Sequence, residues 1–386
     1  MRTQSEQEGL RNASAAPRSI PFFNYPAQFI RQEREFLDVM RDVMRRGAFI
    51  MQKDLQEFEE NLAKYMGVKH AFGVADGSNA LTIALLAAGV KPGEEVIVPS
   101  HTFIASPAAI HFVGAIPLLV DCGPDKMIDP RSVEDALTEK TRAIMPVQLN
   151  GRTADMDALG DIARRHDLLI VEDAAQGLGS KFKGQSAGTF GAAGTISFYP
   201  AKLLGCFGDG GAVVTNDDSV AEQVFMLRDH GRDRDGVTRR WGMNSRLDNV
   251  QAAVLNFKLK TFHREIARRR ELASIYDARL RGVPQMLLPP APESDPNHFD
   301  VYQNYEVEAD DRDGLRAHLE TNGVRTIIQW GGKAVHQFEE LRFTVKPPYT
   351  ERMFGRCFLL PMNTTLTNED VHYICDKILD FYGEGR

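Results

Sequence analysis

The chain has 386 residues, of which 43% are hydrophobic and 26% charged, with a formal net charge of −7. At about 150 residues per domain this allows two globular domains with sizeable cores, and the acidic balance argues against a general nucleic-acid binder. No apolar run approaches the roughly 20 residues needed to cross a bilayer, and the four cysteines (Cys122, Cys206, Cys357, Cys375) are too scattered for a disulfide framework or a thiolate metal site. The ten histidines show no metal-binding spacing either. The expectation is a reduced, cytoplasmic setting without a structural metal.

In chain order, Met1 to Pro21 is polar and lacks the apolar segment of a secretion signal, so residues 1–20 read as a flexible tail. Phe29 to Arg46 and Gln52 to Met66 carry apolar residues at helical spacing. Short apolar runs then alternate with helical stretches. Glu95–Val98, Ile116–Val120, Ala143–Val147, Leu168–Val171, Thr195–Tyr199 and Ala212–Thr215 read as strands. Between most of them lie helical patterns at Asn79–Ala88, Ile104–Val113, Arg131–Leu137 and Met156–Arg165, and Ser219–Asp229 follows the last strand as a helix. Runs with so little polar alternation, separated by helices, predict strands buried on both faces of a mainly parallel sheet.

Asp229 to Trp241 is rich in charge and glycine and reads as a loop. A long helical pattern spans Leu247 to Leu280, with Arg268, Arg269 and Arg270 expected on a solvated face. Pro284, Pro289, Pro290, Pro292 and Pro296 mark a connector. The C-terminal part predicts strands at Tyr302–Val307 and Val324–Trp330, and helices at Arg312–Thr321 and Asn368–Phe381, the last capped by Thr367 or Asn368. The expected division is a large α/β domain over residues 21–255 and a smaller α+β domain over 256–386.

Three features carry chemistry. Asp76-Gly77-Ser78-Asn79 opens a helix, where free N–H groups and the helix dipole favour an anion. Asp173 follows the apolar run Leu168–Val171, at the strand end where open α/β sheets bind ligands; Glu172 should face the other way. Lys202 stands alone between the strand ending at Tyr199 and the turn Gly205-Cys-Phe-Gly-Asp-Gly-Gly211. Those glycines precede a strand rather than a helix, so they are not a dinucleotide fingerprint; they let the chain turn tightly. Phe103, just past the strand ending at Val98, is placed to stack on a flat ring or to fill core. Singly, each feature has an ordinary structural explanation as a cap, a surface lysine or a core aromatic. Together, a lysine amine, a carboxylate and a helix N-terminus match the aldehyde, ring nitrogen and phosphate of pyridoxal 5′-phosphate (PLP).

The ordered set Gly47-Ala-Phe-Ile-Met51, Gly77-Ser-Asn-Ala-Leu81, Glu94-Glu-Val-Ile-Val-Pro-Ser100, Val171-Glu-Asp-Ala-Ala-Gln176, Ser197 to Gly211 and Gly242-Met-Asn-Ser-Arg246 resembles the DegT/DnrJ/EryC1/StrS sugar aminotransferases, of the aspartate aminotransferase (type I) fold. The resemblance runs from about Pro21 to the C-terminus. It implies that Lys202 holds PLP covalently and shuttles the proton. Asp173 binds the pyridinium nitrogen, Gln176 lies near the ring hydroxyl, and Phe103 covers the ring. Gly77, Ser78, Asn79 and Ser197 form the phosphate site. Asn244 reaches the phosphate of a neighbouring subunit, so a homodimer is implied.

The substrates implied are glutamate as amino donor and a keto sugar, nucleotide-linked, in amino-sugar biosynthesis. Neither nucleic acid nor membrane is an expected partner. Two positions depart from many relatives: Leu203 stands where they have asparagine, and Gln329-Trp330-Gly331-Gly332-Lys333 where they have a His-Tyr-Pro-type segment. Trp330 and Lys333 are candidate sugar-nucleotide contacts, with core packing an alternative for Trp330. The basic loop from Arg228 to Arg240 is either a diphosphate contact or a solvated surface. A keto-inositol (cyclitol) aminotransferase remains open. A deoxysugar dehydratase is disfavoured because such relatives replace the lysine with histidine. A PLP-binding regulator is disfavoured by the lack of a DNA-binding module.

Overall fold

The computed structural model describes residues 18–383. Most of the expected tail lies outside that range, but its last part is not free. Ile20 is buried, bridges Val324 in parallel and packs into the core of the smaller domain.

The strands in chain order begin with β1 (His70–Val74), β2 (Glu95–Pro99), β3 (Ile116–Val120), β4 (Thr141–Ile144) and β5 (Leu169–Asp173). A two-strand ribbon follows, β6 (Lys181–Phe182) and β7 (Gln185–Ser186), then β8 (Ala193–Ser197) and β9 (Gly211–Thr215). Apart from the ribbon, these strands form one seven-stranded sheet in the order β1-β9-β8-β5-β4-β2-β3. Neighbours from β8 to β3 pair in parallel, while β9 is antiparallel to both β8 and β1, so only β9 runs against the rest. Strand β1 escaped the sequence reading because Gly73 interrupts its apolar run. A side chain there would come within 2.7 Å of Leu55 and 2.9 Å of Leu247, which explains the glycine. The helix Gly77–Ala87 buries residues on nearly every face, as its unbroken apolar character demands.

Two long helical patterns are each broken once. The first forms Tyr25–Ile30 and Glu33–Arg46, separated where Arg31 donates to the carbonyl of Thr364 in the smaller domain. The second forms Asn249–Leu259 and Phe262–Leu280. Phe262 and Ile266 belong to the core of the large domain, and Leu272 to Leu280 to that of the small one. This helix therefore contributes to both cores. The solvated face expected for Arg268–Arg270 is also corrected. Arg269 is 6% exposed and donates to the carbonyls of Tyr302, Gln303 and Met362. A helix wedged between domains meets strand and loop carbonyls that its basic side chains can satisfy.

The smaller domain carries β10 (Met286–Leu287), β12 (Tyr305–Ala309) and β13 (Cys357–Leu360) as an antiparallel sheet, while β11 (His298–Phe299) joins the β6–β7 ribbon. The strand expected over Val324–Trp330 is reduced to single bridges at Val324 and Ile327. It ends in a turn where Trp330, Gly331 and Gly332 all have left-handed φ values (51°, 71° and 80°), which no strand accommodates. The closing helix Asn368–Tyr382 is capped reciprocally by Thr367 and Asp370. Among the described residues, no helix is long and apolar enough to cross a membrane.

Candidate active site

Strands β1, β2, β5 and β8 all end on one edge of the sheet, and β9 begins there. Their end loops enclose a cavity of about 600 Å³ whose far wall comes from the smaller domain. Seven residues singled out in the sequence line it from the large domain: Gly77, Ser78, Phe103, Asp173, Gln176, Ser197 and Lys202. Trp330 lines it from the small domain.

Three candidates are elsewhere. Asn79 donates its backbone N–H and its side-chain amide to the two oxygens of Asp76, so it completes the helix cap rather than facing the cavity. Asn244 is exposed and bridges Asp229. Lys333 lies over the Phe338 ring at 5.9 Å. In the basic loop, Arg228 is buried against Glu59 and Gly73, and Arg232, Arg234 and Arg239 pair with nearby acids.

Lys202 is gripped from both sides. Gln303, just before β12, accepts the N–H of Leu203 at 2.7 Å and donates to the carbonyl of Ala201 at 2.7 Å. The Lys202 N–H closes a turn onto Tyr199 O at 2.8 Å. Gly205 is required because a side chain there would meet the Pro200 carbonyl oxygen at 2.6 Å. Burial pushes the Lys202 amine below its ordinary value, with Asp173 opposing. The result is an amine closer to its neutral, nucleophilic form.

Asp173 is held by two donors: Ser106 Oγ at 2.7 Å on one carboxylate oxygen and the Ala175 N–H at 3.1 Å on the other. Thr102 Oγ1 is in turn 2.7 Å from Ser106 Oγ. Burial raises the Asp173 pKa, while Ser106, the Ala175 N–H and Lys202 oppose the rise. A cationic partner would keep this carboxylate ionised. Glu172 turns to the opposite face, as expected, and accepts from Gln148, Gly188 and Phe190.

Asp76 caps the helix through Asn79, and Gly77 and Ser78 of its first turn line the cavity. A side chain on Gly77 would meet Ser197 Cβ at 2.8 Å, and one on Gly211 would meet the Asp76 carbonyl at 2.5 Å. The glycines thus allow a strand end and a helix start to converge closely, and a helix start of this kind suits an anion.

Sequence reasoning missed Gln303, Ser106, Thr102 and the small-domain wall of Ile327 and Leu359. Ser106 and Asp173 are 67 positions apart, and no local pattern links them.

The family model for the DegT/DnrJ/EryC1/StrS aminotransferase family matches residues 31–379. The chain belongs to that family. Among curated members, a dTDP-3-amino-3,4,6-trideoxy-alpha-D-glucose transaminase of Streptomyces venezuelae is 42% identical over 83% of this chain and 84% of its own length. A pleiotropic regulatory protein of Geobacillus stearothermophilus is 38% identical over 94% of this chain and 99% of its own. The crystal structure of S. venezuelae DesV in complex with a ketimine intermediate superposes with a TM-score of 0.90 at 38% identity, covering 95% of this chain and 99% of that one. Membership in the DegT/DnrJ/EryC1/StrS family makes the protein an aminotransferase by lineage and agrees with the α/β sheet described above.

Proposed function

We propose that this aminotransferase holds PLP on Lys202 and aminates a nucleotide-linked keto sugar, with glutamate as amino donor. The observation that carries the reading is a partly buried Lys202 and a buried, positioned Asp173 lining one cavity with the first turn of the helix Gly77–Ala87. These are groups for a carbonyl, a protonated ring nitrogen and a phosphate. Bound there, PLP supplies an electron sink for a developing carbanion. Asp173 keeps the ring nitrogen protonated through a charge-assisted hydrogen bond worth about 1.5–3 kcal/mol. Gly77, Ser78 and Ser197 hold the phosphate, and Phe103 covers the ring. Freed once the donor amine has taken its place on the cofactor, Lys202 Nζ would take the proton from the donor's Cα and, in the second half-reaction, deliver one to the sugar carbon.

The sugar side is bounded by Trp330, Ile327 and Leu359. The S. venezuelae relative is named for a dTDP sugar, which supports a nucleotide-linked substrate over a free cyclitol ketone. The regulatory name of the G. stearothermophilus relative favours a regulator. Against it stands the transaminase name of the S. venezuelae relative. The neighbouring copy completes the site through Asn244, exposed on the loop after the helix Asp218–Arg228. The protein works in the cytoplasm, which suits four buried free cysteines.

The test is stopped-flow on the cofactor spectrum. Enzyme pre-aminated with glutamate is mixed with a 3-keto sugar carrying dTDP or UDP, and separately with the free keto sugar. Binding energy from the nucleotide should make the linked form far better in kcat/KM. Equal efficiency with the free ketone would overturn the nucleotide reading.

A further inference from the structure

Behind Gln176 lies a buried polar cluster that the reaction as described does not use. Gln176 Oε1 accepts the backbone N–H of Asn150 at 2.9 Å and Asn304 Nδ2 at 3.3 Å. Both lone pairs of that oxygen are engaged from behind, so Nε2 is the end of the amide turned to the cavity. Asn150 is fixed in turn. Its Oδ1 accepts from Asn304 at 2.9 Å and from Gln329 at 3.3 Å, and its Nδ2 donates to Glu306 Oε2 at 2.9 Å. Its φ of 55° is a left-handed conformation that surrounding contacts must hold.

Glu306 also accepts from Gln329 Nε2 at 2.8 Å. Its carboxylate is 1% exposed and flanked by Lys126 Nζ at 3.6 Å and His101 Nε2 at 3.5 Å. Burial works against a charge on Glu306, but Lys126 and His101 outweigh it and hold its carboxyl low, at about 2. Only an acceptor-only group suits this position. A carboxamide would set an N–H2 against one of the two donors, Asn150 or Gln329. Gln329 directly precedes Trp330, so the carboxylate that orients the Gln176 amide also anchors the left-handed turn on the opposite wall.

We propose that Glu306 is a positioning residue for both the cofactor and the sugar: through Asn150 it aims Gln176 Nε2 at the anionic ring oxygen of the cofactor, and through Gln329 it holds the Trp330 turn against the sugar. The proposal rests on the cofactor assignment made above. Its chemical consequence is specific. A donor on the ring oxygen competes with the nitrogen that joins Lys202 to the cofactor, so that nitrogen releases its proton more readily.

The experiment titrates the holoenzymes of wild type, Gln176→Leu, Glu306→Gln and Asn150→Gly with pH, reading cofactor absorbance, and measures KM for the keto-sugar half-reaction. Asn150→Gly keeps the left-handed backbone and the N–H to Gln176 and cuts only the side-chain link, so it decides the matter if Glu306→Gln does not fold. Gln176→Leu should raise the pKa of the linking nitrogen by about one pH unit, the scale of one hydrogen bond to a charged group. Asn150→Gly and Glu306→Gln should raise it in the same direction, and Glu306→Gln, which also disturbs the partner of Gln329, should raise the sugar KM by about tenfold. An unchanged pKa in Gln176→Leu or in a folded Asn150→Gly, or a wild-type KM in a folded Glu306→Gln, would overturn the proposal. The pH titration needs no sugar, so it stands even if no sugar nucleotide is turned over and the substrate reading fails.

Discussion

At the scale of single residues, an amine and a carboxylate share one cavity. Burial lowers the Lys202 pKa and Asp173 raises it in part. The neutral amine is the nucleophile, so capture of the cofactor by apoenzyme should speed up with pH and level off below the ordinary lysine value of about 10.4. In Asp173→Ala the plateau should move to still lower pH, because the opposing charge is gone. A wild-type plateau at or above the free-lysine value contradicts the assignment. Asp173→Asn keeps the shape and the Ser106 contact but removes the charge. It should cost transamination about tenfold to a hundredfold, the worth of one charge-assisted bond. Near-normal turnover in steady-state assays would show that the charge is not used.

At the scale of elements, the strands of the sheet were legible because buried strands write themselves as continuous apolar runs. Strand β1 was not, since Gly73 serves a close approach between Leu55 and Leu247 that only the tertiary structure shows. The arginines of Phe262–Leu280 were misread for a related reason. Charge on a helix usually means solvent, and only the packed domains reveal the three carbonyls that Arg269 satisfies. Burial lowers the pKa of this guanidinium to about 10, with Glu265 opposing. Replacing it by an apolar group of similar length, Arg269→Met, leaves those carbonyls short of partners. The expected loss is about 2–4 kcal/mol of stability, measured by denaturant unfolding. A change within about 0.5 kcal/mol would mean the contacts are incidental.

At the scale of the whole molecule, residues that line the cavity were legible and the groups that support them were not. Lys202, Asp173 and the Gly77-Ser78 turn stand out because each breaks a local pattern at a strand or helix end. Gln303, Ser106 and Glu306 break none, and matter only through neighbours brought in by the fold. Asn79 looked like a phosphate ligand because a polar residue at a helix start has two uses, and here Asp76 claims it for the cap. Asn244 raises the question of assembly. If it serves a neighbouring copy, mixing Lys202→Ala with Asn244→Ala under subunit exchange should restore activity above either parent. No recovery despite proven exchange, or an active monomer, would remove Asn244 from the site.

The central claim is that Lys202 carries the cofactor, and reduction with borohydride tests it most directly. Holoenzyme is reduced, digested with trypsin and mapped by mass spectrometry. One pyridoxyl-labelled peptide is expected, with the label on Lys202. Label on Lys181, Lys183 or Lys260 instead, or no covalent label in a transaminating enzyme, would contradict it.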